Sequence, residues 1–172
     1  MDLSCSAVAC IRFYTGVSGT ELSALKTAPN YPSSPSYIKA VTTGFFEIAD
    51  NTYDESDNAV DYGAVLEGYV KAPETGKYRF STFSGGSSEV WVAKRSGTKE
   101  GLVKVVSSSF TGSSITGTVF LTLVEGQSYY ITGELPLETV ACCFTTSVAH
   151  LKLLGLIPLL TRADEARWIK RR

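Results

Sequence analysis

Residues 72–80 read Ala72-Pro73-Glu74-Thr75-Gly76-Lys77-Tyr78-Arg79-Phe80. Pro73 presets φ for a turn, and Gly76 is expected to supply a positive φ before the next strand. Tyr78 and Phe80 then share one face, while Lys77, Arg79 and Ser81 share the other. An apolar period of two in aromatic or β-branched residues is the pattern of a strand with one buried side. The stretch is therefore a turn feeding a central strand.

The same period recurs in both directions. Ile11 and Phe13 flank Arg12, Val90 and Val92 flank Trp91, and Val103 and Val105 flank Lys104. Val119, Leu121 and Leu123 alternate with Thr118, Phe120 and Thr122, and Tyr129 and Ile131 follow. His150 and Lys152 alternate with Leu151 and Leu153. Turn chemistry separates these runs at Ser84-Gly85-Gly86-Ser87, Ser96-Gly97, Thr111-Gly112 and Glu125-Gly126. Closely spaced strands without intervening helices predict an all-β, antiparallel sandwich or barrel.

Residues 15–62 carry Pro29, Pro32 and Pro35 and then an acidic stretch. They are expected to form long loops with short helical or strand pieces laid over the sandwich. Residues 161–172 read as a short basic helix. Thr161 suits a cap, Asp164 and Glu165 the first turn, and Arg167, Lys170, Arg171 and Arg172 the last. The expected organisation is one β domain over residues 1–160 and a basic helical tail over 161–172.

Composition narrows the function. The 172 residues are 44% hydrophobic and 11% aromatic, too apolar for a disordered chain. Sixteen basic and seventeen acidic residues leave a net charge of −1, so no whole-molecule field directs the chain to nucleic acid. The longest apolar run, residues 153–160, is broken by Gly155 and Pro158 and is too short to span a bilayer. The first residues lack a basic segment followed by an apolar core, so no signal peptide is visible; the chain is mature or cut from a larger protein.

Four cysteines, Cys5, Cys10, Cys142 and Cys143, lack the spacing of a zinc site. Joining Cys142 to Cys143 strains the peptide between them. Either other pairing staples the N-terminal segment to one far along the chain, worth about 4–5 kcal/mol in the chain-entropy account. That reading places the protein in an oxidising compartment. The alternative is four buried free thiols.

The run from Asp61 through Gly68-Tyr69-Val70 to Ala72-Pro73-Glu74-Thr75-Gly76-Lys77-Tyr78-Arg79-Phe80 resembles the PA14 domain family. That family carries Gly-Tyr-(apolar), then Ala-Pro-x-Thr-Gly-x-Tyr-x-Phe, a Ser-Asp-Asp loop and an apolar-Trp-apolar strand. Here the last two are Ser84-Gly85-Gly86-Ser87-Ser88-Glu89 and Val90-Trp91-Val92, and Tyr129-Tyr130-Ile131 matches a later strand. Leu22 to Leu25 and Tyr31-Pro32-Ser33-Ser34-Pro35 fit the lead-in of a subgroup, and the similarity covers residues 11–155.

The resemblance implies a β-sandwich or barrel of PA14 type, found in adhesins, glycosidases, toxins and other extracellular proteins. It implies a cell-surface or secreted setting and a non-catalytic module that binds carbohydrate or another surface partner. Glycan-binding members hold a calcium ion through adjacent aspartates in the loop after the Tyr-x-Phe strand, and sugar hydroxyls complete its shell. The matching residues here are Gly85 and Gly86. Calcium wants six to eight hard oxygens, and Glu89 is the one carboxylate left beside Ser84, Ser87 and Ser88. The expectation is no cofactor at this loop.

Candidate ligand contacts are therefore Ser84, Gly85, Gly86, Ser87, Ser88, Glu89 and Trp91. Trp91 alternates away from Val90 and Val92, so its indole faces a groove or lies under residues 15–62. Asp50, Asp54, Asp57 and Asp61 form a weaker calcium alternative, because Glu55 stands where an EF-hand loop wants glycine. His150 reads as structural, and no serine sits in a nucleophile elbow. The competing functions are a structural or assembly domain making protein contacts, and an accessory domain of a larger enzyme.

Overall fold

A computed structural model describes residues 9–41, 46–48, 61–83, 86–109, 114–137 and 142–148. In chain order these hold β1 (Ala9–Thr15), α1 (Leu22–Lys26), β2 (Tyr37–Ala40), β3 (Phe46–Ile48), β4 (Tyr62–Lys71) and β5 (Gly76–Phe83). There follow β6 (Ser88–Ala93), β7 (Leu102–Ser108), β8 (Ser114–Thr116), β9 (Leu121–Leu123), β10 (Ser128–Leu137) and β11 (Cys142–Val148). The strands form two antiparallel sheets. The first runs β2-β1-β4-β10-β6-β7; the second runs β3-β11-β5-β8, with β9 also paired to β5.

The period-two runs place the core between the sheets. Ile11, Phe13, Ala64, Leu66, Val90, Val92, Ile131 and Leu135 of the first sheet meet Tyr78, Phe80, Leu121 and Leu123 of the second. Burying such side chains is worth roughly 1.5–3 kcal/mol each, which makes this layer the main stabilising mass. Residues 15–36 lie against the opposite, outer face of the first sheet. There Tyr14, Val17, Leu25 and Ala28 form a second apolar cluster, with Leu22, Tyr31 and Val65 at its margin. The described residues of segment 15–62 thus supply α1, β2 and β3.

Three local readings need correction. Gly76 does not take a positive φ; it is the first residue of β5 and pairs with Leu123. Positive φ occurs instead at Gly97 and Gly126, inside the predicted Ser96-Gly97 and Glu125-Gly126 turns. The strand expected from Val119 onward begins at Leu121, leaving Val119 and Phe120 exposed. Val103 and Val105 do not simply alternate: a bulge at Val90/Trp91 sets Trp91 opposite Lys104 and Val90 opposite Val106. Val105 is the extra residue, so Val105 and Val106 are both buried. His150 and residues 151–172, including the predicted helix, lie outside the described residues, as does Cys5. Among the described residues, no helix is long and apolar enough to cross a membrane.

Candidate functional site

The loop before β6 joins the first sheet to residues 20–22. Ser87 donates its backbone N–H to the Thr20 carbonyl at 2.8 Å and its hydroxyl to the same oxygen at 2.9 Å. The Ser87 hydroxyl also accepts the Leu22 N–H at 2.7 Å. Gly86 is wedged beneath this junction: a Cβ there would sit 3.0 Å from both the Thr20 and the Pro136 carbonyl oxygens. Ser88 is fully buried and shares a 3.2 Å hydrogen bond with Thr82. Of the sequence-predicted contacts, Ser87 therefore ties the α1 segment to the sheet, Gly86 packs closely beneath that junction, and Ser88 bonds to Thr82 on β5 instead. The Thr20 carbonyl accepts two hydrogen bonds, which occupy both lone pairs of an oxygen that would otherwise suit a cation.

Ser84 and Gly85 lie outside the described residues, as do Asp50, Asp54 and Asp57. Asp61 is exposed, and its carbonyl accepts the Gly16 N–H at 3.0 Å. Among the described residues, no three His, Cys, Asp or Glu side chains cluster so as to hold a metal.

Glu89 and Trp91 emerge on the outer face of the first sheet, because their neighbours Val90 and Val92 turn into the core. Pairing sets Glu89 opposite Glu134, and Trp91 opposite Thr132, which itself opposes Glu67. Two carboxylates directly opposed across strands repel one another. Lys26, at the end of α1, resolves that conflict: its Nζ lies 3.0 Å from Glu89 and 3.2 Å from Glu134. Lys104 Nζ reaches Glu89 at 2.7 Å and stands 5.3 Å from the centre of the Trp91 ring. Tyr31 donates its hydroxyl to Glu134 at 2.7 Å.

Glu67 anchors the second half of this lattice. It pairs with Arg12, accepts the Tyr130 hydroxyl, and lies 3.6 Å from Lys99. Lys99 Nζ also sits 4.7 Å from the centre of the Tyr130 ring, whose edge meets Tyr69 at a 5.5 Å centroid distance. Trp91 is half-buried on this face, with the Lys104 ammonium over its ring.

The electrostatics follow from the geometry. Burial works against the Glu89 carboxylate, but hydrogen bonds from Lys104 and Lys26 outweigh it and hold the group below the usual glutamate range. Burial likewise works against the Lys26 ammonium, and the Glu89 and Glu134 carboxylates outweigh it, raising its pKa. Burial, followed by the bond to Glu67, pushes the Tyr130 phenol up; burial and Glu134 do the same for Tyr31.

A lowered carboxylate contributes stability above its unfolded pKa and loses it as pH falls through the folded value. A raised lysine contributes below its unfolded pKa and loses it as pH rises through the folded value. The clamp is thus intact from mildly acidic to mildly alkaline pH. Glu89→Gln is expected to flatten the acid limb: urea midpoints measured from about pH 6 down to about pH 3 should fall less steeply in the variant. Parallel acid limbs in the two proteins would count against the clamp.

Sequence reading found Glu89 and Trp91 but missed Arg12, Lys26, Tyr31, Glu67, Lys99, Lys104, Tyr130 and Glu134. The strand period marks Arg12, Lys104 and Glu89 as outward-facing. Cross-strand register, which decides who meets whom, is not written in any local pattern.

The PA14 domain family model matches residues 18–132. Among curated proteins, none matches the chain. The PA14 domain of the MpAFP antifreeze protein is similar in structure, at TM-score 0.55 and 15% identity, over 88% of this chain and 89% of that one. The epithelial adhesin 9 A domain from Candida glabrata, solved with Galβ1-3GlcNAc, aligns at TM-score 0.53 and 14% identity, over 82% and 80% of the two chains. A β-glucosidase from Kluyveromyces marxianus, solved with glucose, aligns at TM-score 0.54 and 16% identity over 83% of this chain, which spans 16% of the enzyme's length. With the family model covering more than half of its residues and the two-sheet fold in agreement, this chain belongs to the PA14 domain family.

Proposed function

We propose that this PA14 domain is a non-catalytic, extracellular binding module that recognises a surface glycan without a calcium ion at the loop before β6. The observation that carries this is the fixed use of that loop. A side chain at Gly86 would crowd the Thr20 and Pro136 carbonyl oxygens at 3.0 Å, and Ser87 saturates the Thr20 carbonyl. The glycan class is supported by the structural likeness to the adhesin domain solved with Galβ1-3GlcNAc. The proposed setting is oxidising and extracellular, with Cys10, buried on β1, as a disulfide candidate. The outer face of the first sheet, carrying the half-buried Trp91 and Tyr69, offers aromatic surface for a sugar ring.

A glycan array tests this reading. The expected result is retention on a defined set of surface glycans. An array blank for every glycan would turn the reading toward an assembly domain. One observation favours that second reading: Val119, Phe120 and Val124 flank β9 as exposed apolar side chains, with Phe120 46% and Val124 48% exposed.

A further inference from the structure

On the outer face of the first sheet, the carboxylates lie beneath the cations. Glu67 and Glu89 side chains are each 13% exposed, whereas Lys99 and Lys104 are 59% and 43% exposed. What this face presents outward is therefore ammonium, although its charges nearly balance. The neighbouring hairpin between β6 and β7 strengthens the asymmetry. Lys94, Arg95, Lys99 and Lys104 fall within eleven residues against the single acid Glu100. Lys94 and Arg95 are exposed, and among the described residues neither is held in an ion pair. The hairpin is fixed to the sheet end by the Gly97 N–H, which donates to the Ser128 carbonyl at 2.9 Å. Acidic residues collect elsewhere in the sequence: Glu47, Asp50, Asp54, Glu55, Asp57 and Asp61 occur with no lysine or arginine among them.

Aromatic rings sit within this cationic field. Lys99 stands over Tyr130, Tyr130 meets Tyr69 edge to face, and Lys104 stands over Trp91. Tyr69 and Trp91 are half-buried, so each keeps surface open to solvent. Ammonium groups beside aromatic faces match a ligand with anionic substituents on sugar rings. The cations take carboxylate or sulfate oxygens in charge-assisted hydrogen bonds, and the rings take the apolar sugar faces. Arg95 offers the planar fork suited to either anion.

We infer that the outer face between β4 and the β6–β7 hairpin binds an acidic glycan, one bearing carboxylate or sulfate groups, through Arg95, Lys99 and Lys104 with Tyr69 and Trp91 as the stacking surface. This inference rests on the reading of the domain as a glycan-binding module and names the class of glycan and the face that takes it. Lys99 and Lys104 remain partnered to Glu67 and Glu89 as they bind, so the ligand meets lysines already held in place rather than free chains. Preordered cations lose less side-chain entropy on binding.

The test is binding of the whole chain to immobilised heparin and oligogalacturonate, with a neutral galactosyl disaccharide and phosphatidylserine vesicles as further arms. Binding to either acidic glycan, weakening as salt rises, is the expected result. Arg95→Glu with Lys99→Glu is expected to reduce that binding at least tenfold, and Tyr69→Ser is expected to weaken it without changing its salt dependence. Both variants alter exposed or half-buried side chains, and unchanged thermal melts establish that they fold. Acidic-glycan binding that survives the double reversal overturns the assignment of this face. Binding to the neutral disaccharide alone overturns the inference while leaving the glycan-binding reading intact. Absence of binding in every glycan arm overturns this inference, and a blank glycan array beside it overturns the glycan-binding reading as well. Vesicle binding without acidic-glycan binding overturns the choice of a glycan as the anion's carrier.

Discussion

Gly117→Ala is expected to be strongly destabilising. A Cβ at Gly117 would lie 1.9 Å from the Val105 carbonyl oxygen and 2.9 Å from its carbon. Both are backbone atoms, so no side chain can rotate away. Gly117 also donates its N–H to the Phe80 carbonyl at 2.9 Å, which fixes it to β5. Val105 is the extra residue of the β7 bulge, and its neighbour Val106 packs in the core. The substitution must therefore push apart the two sheets where β7 of one approaches the second. Overpacking typically costs roughly 1–3 kcal/mol, and a backbone collision belongs at or above the top of that range. For a chain of this size that is a fall of roughly 6–12 °C in melting temperature. Gly97→Ala is the control: its φ of +71° makes alanine strained, yet no atom lies within 4 Å of the added Cβ. Thermal melts that show equal, small shifts for the two variants would contradict the close approach at Gly117.

Leu25→Ala is expected to release α1 from the sheet. The helix has five residues, far below the length at which an isolated helix persists in water. Its place depends on what it buries. Leu25 is fully buried, and its Cδ1 lies 2.7 Å from where a Cβ on Gly63 would be, so the side chain fills the space that glycine leaves. Truncation removes that plug at a cost of roughly 2–5 kcal/mol. Because Lys26 follows directly, the loss extends to the bridge between Glu89 and Glu134. The opposed carboxylates would then face each other with less compensation. Denaturant unfolding should show the lowered midpoint, and hydrogen exchange should show early loss of protection at Leu22 and Thr27. A variant with unchanged midpoint and protection would mean that α1 is held by other contacts.

The legible part of this molecule is its alternation. Ile11, Phe13, Tyr78, Phe80, Val90, Val92 and Ile131 all lie in the core that their period of two implies. Arg12, Glu89, Trp91 and Lys104 all fall on the polar phase. The pairing of those phases was not legible, since β6 and β10 are far apart in sequence and only register opposes Glu89 to Glu134. The β7 bulge was hidden because Lys104-Val105-Val106 reads equally well as plain alternation with one exposed valine. α1 was hidden because five residues hold too few turns to show a helical period. The glycines at the family's calcium positions were legible as a departure. What Gly86 does instead, fitting beneath the Thr20 and Pro136 carbonyls, required the contact itself.

On the proposed reading, Ser87 holds the α1 segment where the family's calcium loop would hold a cation, so ligand recognition would proceed without calcium. The most direct measurement is the melting temperature in calcium against chelator, taken in an Asp54→Asn, Asp57→Asn background so that the acidic stretch does not contribute. A site filled at about a hundredfold excess over its Kd would add about 2.7 kcal/mol, or roughly 5–11 °C. The account predicts the same melting temperature in both conditions. A calcium-dependent rise of that size in this background would contradict it.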